Sequence, residues 1–520
     1  MIYSAALTLL SMIGGLLALM QVKDIIWLIK SISYIKQGMP IRYFPFIGYA
    51  KYIDNPHKEE GLEDFLKMFQ KPGKSAKKET ERLIMINGLT TDPTIFLNDK
   101  DLIREFFAKE TEVCCMENTL DFPPKDAFLF SIDPHRVQND RAIFAEIFYP
   151  DKINKQIPQI KAIVKRHLNR IKKEVKKVKN SGVSGNKKTQ IEIELKPYIK
   201  DILTDVVSFA IFGGEIPEVE GVTLASQMEF TLNGFYKNRT SFLHIATGGL
   251  YSKFGIDPNY NEVLRVYHKI IKKLKEVIRS RENLTNYEFG NNAVDLLILK
   301  KRDLEAQGRS DQMMNYEQLA QNIFSIIFAG TDTTRSFTES ILYKLSLEPK
   351  LQRELRDCIR KQISGQAQGE DSTFFEGSEF FQDFLRESLR LYSPASMSFH
   401  RKILKRFSLG PYTINKGDYL ILPYIALQSK PEYFGEGRKF NLKKYEEKKQ
   451  IKELSKSVLI PFSSGKRACI GKNLADVMVK IILFNFLDQF EMARSSEPNR
   501  RFQAMTVGFE HCKVLLTSLK

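Results

Sequence analysis

One cysteine near the carboxyl end of this 520-residue chain stands among residues that could prepare it for chemistry. Cys469 lies in the run PFSSGKRACIG, which occupies residues 461–471 and precedes an apolar helical pattern. Gly465 permits a tight turn, so that backbone N–H groups can point at the sulfur, and a helix beginning near Gly471 would bring its positive end close. Phe462 would shield the sulfur from water. The pattern predicts a stabilised thiolate, the form in which cysteine acts as a metal ligand or nucleophile.

The other cysteines lack such surroundings. The chain has five, at positions 114, 115, 358, 469 and 512, and they form neither a paired metal-ligand spacing nor a disulfide framework, which fits a reducing compartment. A lone Cys-Ile-Gly would be interpreted more simply as a buried cysteine in a turn between a strand and a helix. Here five positions agree within ten residues: Phe462, Gly465, Arg467, Cys469 and Gly471. The segment resembles the haem-binding loop of the cytochrome P450 family.

The resemblance implies a haem b cofactor whose iron takes Cys469 as its axial ligand. A thiolate in that position pushes electron density onto the iron and favours cleavage of the O–O bond of bound dioxygen. Arg467 is then expected to reach a haem propionate with its planar guanidinium, while Phe462 and Gly465 complete the loop. Gly471 would let the following helix approach the porphyrin closely.

A second motif, Ala-Gly-Thr-Asp-Thr-Thr at residues 329–334, lies inside a long helical pattern. Splitting an O–O bond requires protons in a site otherwise kept dry, and a carboxylate with a hydroxyl can relay them from water. By similarity to the family, Asp332 and Thr333 are the acid–alcohol pair of a helix that crosses the haem, and Gly330 leaves room for dioxygen. The plainer alternative is that Thr333 bonds back to its own helix and Asp332 caps a neighbouring group.

Glu387 and Arg390 put opposite charges on one helix face. On most helices such a pairing is a weak surface contact. The pair also matches the Glu-x-x-Arg signature of the family, where it is structural and is joined by an arginine from a later segment. This chain offers Lys444 in the corresponding place, and lysine cannot form the same bidentate fork. Arg438 is the alternative third member.

Further contacts to the haem propionates follow from the resemblance. The segment 394–401 is expected to form a strand at the haem edge, from which either His400 or Arg401 binds a propionate, and the choice between them stays open. Arg141 corresponds to the arginine of the family's Trp-x-x-x-Arg helix. The tryptophan position holds Val137 instead, so one propionate contact is expected to be missing.

The elements that must position these residues are predicted to be mainly α-helical with a small β-sheet. An apolar stripe from Ile160 to Val175 is flanked by lysines and arginines, as on an amphipathic helix. Similar helices are predicted at 261–281, 315–346 and 472–490. Strands are predicted at 83–86, 94–97, 191–195 and 419–422. The resemblance implies the cytochrome P450 fold, with the haem between the long central helix and the cysteine loop.

The amino terminus predicts a membrane attachment. Residues 2–22 carry no charge and approach the length of about 20 apolar residues that a spanning helix needs. We therefore expect an anchor helix at 1–22, a basic, proline-containing linker at 23–50 and the haem-binding monooxygenase domain at 51–520. The alternatives are a cleaved signal peptide, which lacks a basic start and a clear cleavage site, and a buried soluble helix.

Basic residues follow the anchor, which by the positive-inside rule leaves the rest of the chain in the cytosol: Lys23, Lys30, Lys36 and Arg42. The expected location is the endoplasmic reticulum membrane, crossed once, with the catalytic domain on the cytosolic side. Trp27, the one tryptophan, is interpreted as an interfacial anchor.

The charge of the whole chain indicates an acidic partner or an anionic membrane. The formal net charge is +17, but the lysines are spread along the chain and are not interleaved with aromatics, so no nucleic-acid partner is expected. No glycine-rich nucleotide fingerprint or flavin module is present, so electrons must come from outside. The resemblance to membrane-bound members of the family implies the NADPH–cytochrome P450 reductase as donor, joined by cytochrome b5, with Lys466, Lys472 and Arg136 expected to steer the acidic reductase.

The resemblance implies a monooxygenase that inserts one atom of dioxygen into a lipophilic small molecule, with electrons from NADPH through a separate reductase. The substrate pocket is expected to include five apolar residues, most of which would be ordinary core in another fold: Phe324, Phe328, Met397, Phe399 and Met505. A haem-thiolate isomerase is one alternative, against which Asp332 and Thr333 argue. An inactive haem sensor is another, for which Val137 and Lys444 would be the signs.

Overall fold

A computed structural model describes most of the chain. The described residues are 2–43, 66, 69, 82–87, 91–116, 124–131, 133–180, 190–214, 218–241, 250–284, 290, 292–365, 378–435, 437–445, 458–497, 499, 501–503 and 506–519. Some of these have a described backbone but no described side chain, among them most residues before 21 and Lys444.

Helices make up most of the described chain. In chain order they are α1 Ile2–Lys36, α2 Lys100–Val113, α3 Pro134–Ile147, α4 Pro150–Asn154, α5 Ile157–Asn180, α6 Leu195–Phe212, α7 Leu224–Thr240, α8 Leu250–Lys253, α9 Pro258–Glu282, α10 Ala293–Ala306, α11 Tyr316–Leu347, α12 Pro349–Gly365, α13 Glu379–Tyr392, α14 Tyr424–Gln428, α15 Pro431–Phe434 and α16 Lys472–Gln489.

The strands are short. They are β1 Ile41–Arg42, β2 Leu83–Asn87, β3 Pro93–Leu97, β4 Cys114–Met116, β5 Ile191–Glu194, β6 Glu218–Val219, β7 Val222–Thr223, β8 Arg401–Ile403, β9 Phe407–Leu409, β10 Tyr412–Ile414, β11 Tyr419–Ile421, β12 Phe490–Arg494, β13 Arg501–Gln503, β14 Val507–Phe509 and β15 Lys513–Ser518. The expectation of a mainly helical protein with a small sheet is confirmed, and the predicted helices correspond to α5, α9, α11 and α16.

The long central helix α11 has clear sequence signals at both ends. Asn315 and Gln318 form a capping box, in which each side chain accepts a hydrogen bond from the other residue's backbone N–H at 2.9 Å. The helix stops before Pro349, because proline disfavours helical geometry in the residue that precedes it. Between these ends α11 packs in one large apolar core with α5, α6, α9 and α16.

A six-stranded sheet lies beside this helical core, with the strand order β1-β2-β3-β11-β8-β4. Its antiparallel β8–β4 pair sets Arg401 opposite Met116 and Lys402 opposite Cys115. Because β4 follows directly on α2, the sheet brings the end of α2 next to Arg401. Two distant parts of the chain are thereby joined at one edge.

Helix α1 docks on this sheet by one face. Trp27 is fully buried there and stacks on Tyr43 at 5.8 Å between ring centroids, so its interpretation as an interfacial anchor is wrong. The buried hydroxyl of Tyr34 donates a hydrogen bond to the carboxylate of Asp418, which precedes β11. The opposite face exposes large apolar side chains, namely Val22, Ile25, Leu28, Ile29, Ile32 and Ile35.

Within the part of the chain that the structure describes, no helix is both long and apolar enough to cross a membrane. The predicted anchor at 1–22 belongs to α1, and most of its side chains lie outside the described set. The division into residues 1–22, 23–50 and 51–520 stays a prediction.

The buried Asp418 makes the stability of the protein depend on pH. Burial raises the pKa of Asp418 from 3.8 to about 7, so the folded state holds a proton that the unfolded state releases. Stability from this group is complete below pH 3.8 and is lost as pH rises to about 7. The asparagine of Asp418→Asn is neutral at every pH, so the variant should lose less stability as pH rises. Its unfolding temperature should therefore fall less between pH 4 and pH 8 than that of the wild type. The exposed Asp311→Asn is the control, and equal pH profiles for all three proteins would contradict the prediction.

Candidate functional site

The cysteine loop is a tight turn closed by backbone hydrogen bonds. Ser463 and Gly465 adopt left-handed φ angles of 61° and 71°, and Gly465–Arg467 form one turn of 3₁₀ helix. The N–H of Cys469 donates to the carbonyl oxygen of Phe462 at 2.8 Å. This bond fixes the cysteine at the end of the loop, immediately before α16.

The Cys469 side chain is exposed, but protein atoms surround its sulfur on most sides. Burial raises the pKa of the Cys469 thiol, while hydrogen bonds from the N–H groups of Gly471 and Lys472 and the charge of Arg141 act in the opposite direction. The donors expected from the sequence are therefore present, but burial outweighs them. A metal cation bound to the sulfur is the charge that would offset this cost, because a coordinated thiol gives up its proton.

Three guanidinium groups surround the loop. Arg141 donates to the carbonyl oxygen of Ala468, and Arg467 donates to that of Phe128 at 3.1 Å. Burial, together with the like charges of Arg401 and Arg141, lowers the pKa of Arg467 to about 10. Such a buried group of cations fits a ligand with carboxylate groups, as a haem with its propionates would be.

His400 and Arg401 lie side by side at this edge. Burial, aided by the charge of Arg401, lowers the pKa of His400 to about 4, so its imidazole is neutral at physiological pH. A neutral ring offers an anion less attraction than a guanidinium. This difference in charge favours Arg401 over His400, the two candidates between which the sequence left the choice open. Val137, at the position of the family's tryptophan, is buried in the helical core.

Glu387 and Arg390 form a fully buried ion pair on α13, joined by two hydrogen bonds of 2.8 and 2.9 Å. Glu387 also accepts a hydrogen bond from the hydroxyl of Tyr445 at 2.9 Å. Arg390 donates to three backbone carbonyl oxygens, those of Gln428, Gly437 and Lys439. Tyr445 and these carbonyls complete the pair. The role predicted for Lys444 stays a prediction, because its side chain lies outside the described residues.

The acid–alcohol pair lies in the middle of α11. The hydroxyl of Thr333 donates to the carbonyl oxygen of Ala329 at 2.6 Å, which is the plainer alternative that the sequence allowed. The Asp332 carboxylate pairs with Arg335 at 2.5 Å and accepts a hydrogen bond from the Thr506 hydroxyl at 2.6 Å. A hydroxyl that donates to its helix still has lone pairs with which to accept a proton or a hydrogen bond.

Arg335 extends this network into the protein. It bonds both carboxylate oxygens of the fully buried Glu339, at 2.8 and 3.0 Å, as well as Asp332. Burial raises the pKa of Glu339 to about 7, against the opposing charge of Arg335. The acid of the central helix thus belongs to a chain of three ionisable groups.

The predicted pocket residues differ in exposure. Phe324 is fully buried against Tyr267, with ring centroids 5.3 Å apart, which is the ordinary core role also allowed by the sequence. Phe328 is half-buried, one turn further along α11, and Met397 packs against a small apolar cluster. Phe399 is 39% exposed and meets Phe130 edge to face. Met505 lies outside the described residues.

Several residues of the site were missed from the sequence. Tyr445, Arg335 and Glu339 carry no motif that distinguishes them from ordinary helix and loop residues. The sequence does carry a signal for Glu110, because this acidic residue falls on the apolar stripe of α2, four residues after Phe106. That position predicts a buried carboxylate. A carboxylate at a buried helical position requires a cationic partner.

Comparisons with known proteins agree with this geometry. The sequence model of the family described as Cytochrome P450 matches residues 42–514. The chain is 25% identical to cytochrome P450 709B3 of Arabidopsis thaliana over 60% of this chain and 58% of that protein. It is 22% identical to cytochrome P450 3A9 of Rattus norvegicus over 78% of each chain. Its fold matches retinoic acid-bound cyanobacterial CYP120A1 with a TM-score of 0.70 and 17% identity, covering 92% of this chain and 99% of that one.

A cysteine before a helix and beside a cationic edge is the arrangement expected of the haem-thiolate class of oxidoreductases. The family match extends over nearly the whole chain. This chain belongs to the cytochrome P450 family, and it is a monooxygenase of that family.

Proposed function

We propose that this cytochrome P450 inserts one oxygen atom of dioxygen into a lipophilic small molecule, using electrons that a separate NADPH-dependent reductase delivers. The second oxygen atom leaves as water, with protons taken from the solvent. The observation that carries the proposal is the Cys469 thiol, held by amide N–H groups at the start of α16 and bordered by arginines. A haem b bound there would supply the reductive activation of dioxygen.

The residues around the cofactor have separate tasks in this proposal. Cys469 would bind the haem iron, and the turn at Gly465 would keep the sulfur in place. Arg467, Arg401 and Arg141 would bind and orient the propionates by charge-assisted hydrogen bonds.

Asp332 and Thr333 would move protons to the site of oxygen activation. The half-buried Asp332 lies between the Arg335 guanidinium and the Thr506 hydroxyl, so its carboxylate is held near the protein interior. The Thr333 hydroxyl, bonded to Ala329, would accept and pass on a proton within the same helical turn.

The proposed substrate is lipophilic because the side chains expected at the pocket are apolar. Phe328 and Phe399 both keep accessible surface and carry no group that could pair with a charged substrate. A substrate that enters among such side chains gains free energy mainly by burial of its own apolar surface.

We also propose that the protein is attached to the endoplasmic reticulum membrane through residues 1–22, with the catalytic domain in the cytosol. The uncharged run at 2–22 and the exposed apolar face of α1 support this attachment. The exposed Lys36 side chain, at the carboxyl end of that face, is suited to anionic headgroups.

The proposed electron donors are the NADPH–cytochrome P450 reductase and cytochrome b5. Lys466 and Lys472 are exposed on either side of Cys469, so an acidic partner could dock close to the sulfur. Arg136 contributes less, because its guanidinium already pairs with Asp126 at 3.0 Å.

Replacing the proposed ligand tests the central assignment. Cys469→Ala should abolish the thiolate-type spectrum of the reduced carbon monoxide complex, because no other sulfur occupies that position. Cys358→Ala is the matched control: Cys358 lies on α12 and hydrogen-bonds Ser378, the residue before α13, so the variant should leave the spectrum unchanged. A normal spectrum in the Cys469 variant would rule out the proposal.

Replacing the proposed relay hydroxyl tests the proton path. Thr333→Ala should retain haem but lower the fraction of electrons that reach product by about tenfold or more, with hydrogen peroxide formed instead. Thr331→Ala is the control, because Thr331 makes the same type of bond to its helix, to Ile327 at 2.7 Å. Similar coupling of oxygen consumption to product in both variants would contradict the relay.

Reversing charges tests the docking of the reductase. The double variant Lys466→Glu and Lys472→Glu should slow the first electron transfer by about tenfold at low ionic strength. Added salt should reduce the difference in rate between this variant and the wild type. The control is the double variant Lys272→Glu and Lys416→Glu, which makes the same change of charge at exposed residues on α9 and between β10 and β11. It should be reduced at the wild-type rate. An equal rate of haem reduction in both double variants, measured by stopped flow, would disprove the docking face.

A further inference from the structure

A buried carboxylate lies beneath the cysteine loop without a role in the proposed reaction. Glu110 belongs to the last turn of α2, and its side chain is 4% exposed. The carboxyl terminus of a helix is an unfavourable place for a negative charge, because the last carbonyl groups carry partial negative charge themselves. The position of Glu110 therefore requires compensation from other parts of the chain.

Arg401 supplies that compensation. Its Nε donates to Oε1 of Glu110 at 2.9 Å, and its Nη1 donates to the carbonyl oxygen of Phe399 at 2.8 Å. Both side chains of the ion pair are almost fully buried. The guanidinium plane is thus held from two sides, while its remaining N–H donors have no acceptor among the described residues and are free for an anion.

The second oxygen of Glu110 faces the cysteine loop. Oε2 is buried and has no hydrogen-bond partner in the described part of the chain. It lies 2.8 Å from the place where a Cβ on Gly465 would stand, and the Phe107 ring lies 3.2 Å from the same point. Helix α2 is therefore in direct contact with the turn that carries Cys469, and any side chain at Gly465 would push against Glu110.

The charge of Glu110 also acts on the other cations of the site. It raises the pKa of Arg467 and of Arg141, against the larger lowering effect of burial on both. The single negative charge of Glu110 thus lies among the three guanidinium groups of Arg401, Arg467 and Arg141 and leaves this group of charges net positive.

We propose that Glu110 is a positioning residue of the haem site, which orients Arg401 toward the haem carboxylates and couples α2 to the cysteine loop. The inference rests on the proposed haem site. Loss of the Glu110 charge leaves Arg401 free to turn and adds one positive charge at the haem edge. The haem should then be held less tightly, and its iron should be reduced at a more positive potential.

The test compares Glu110→Gln with Glu110→Asp and with Glu105→Gln in the haem-loaded full chain. Glu105 lies on the same helix but is partly exposed and pairs with Lys109 at 2.8 Å, so it controls for the change of charge on α2. Glu110→Gln should transfer haem to apomyoglobin about 10 to 100 times faster than the wild type. Loss of a residue that orients a metal-site ligand typically has an effect of this size on affinity. The reduction potential of Glu110→Gln should rise. In both the rate of haem transfer and the potential, Glu110→Asp should lie between the wild type and Glu110→Gln, and Glu105→Gln should match the wild type.

A double-mutant cycle with Arg401→Gln separates positioning from a general loss of structure. If Glu110 acts through Arg401, Glu110→Gln should speed haem transfer far less in the Arg401→Gln background than in the wild type. Additive effects of the two variants, or an unchanged rate and potential in Glu110→Gln, would overturn the inference. Should Glu110→Gln fail to fold, the same comparison is made with Glu110→Asp. Failure of the haem site itself would be recognised separately, because the wild type would then bind no haem.

Discussion

The structure depends on holding one sulfur atom at a fixed point where burial opposes its charge. The loop that does so requires a left-handed residue at Ser463 and another at Gly465, and it is closed by the bond from Cys469 to Phe462. Helix α16 then supplies amide donors from its first turn. Backbone groups, which cannot change rotamer, thereby carry most of the positioning, and the free energy of burial is offset when a cation binds the sulfur.

Buried charges near the site are compensated in pairs or chains. Arg390 and Glu387 form one fully buried pair, and Arg401 and Glu110 form another. Removing one member of such a pair leaves an uncompensated buried charge, which costs about 3 to 5 kcal/mol. The Arg401–Glu110 pair joins two elements that are distant in sequence. The Glu387–Arg390 pair lies on one helix and ties it to later segments through Tyr445 and three backbone carbonyl oxygens.

The central helix combines rigidity with ionisable groups. Asp332 is shared between Arg335 on its own helix and Thr506 near the carboxyl end, so movement of the carboxylate requires an exchange of partners. The raised pKa of Glu339, caused by burial, adds a second acid to this network. The arrangement ties the proposed proton-transfer residues to the strands of the carboxyl-terminal region, which pack against α11.

The sequence alone determined the class of fold, the long helices and the identity of the cysteine loop. The periodicity of apolar residues is a local property, so helices such as α9 and α11 were predicted within a few residues of their ends. The tertiary structure decided which charges meet. Glu110 and Arg401 are 291 residues apart in the chain, and Glu387 and Tyr445 are 58 apart. Such contacts are set by strand order and by the packing of whole elements, which leave no local pattern in the sequence.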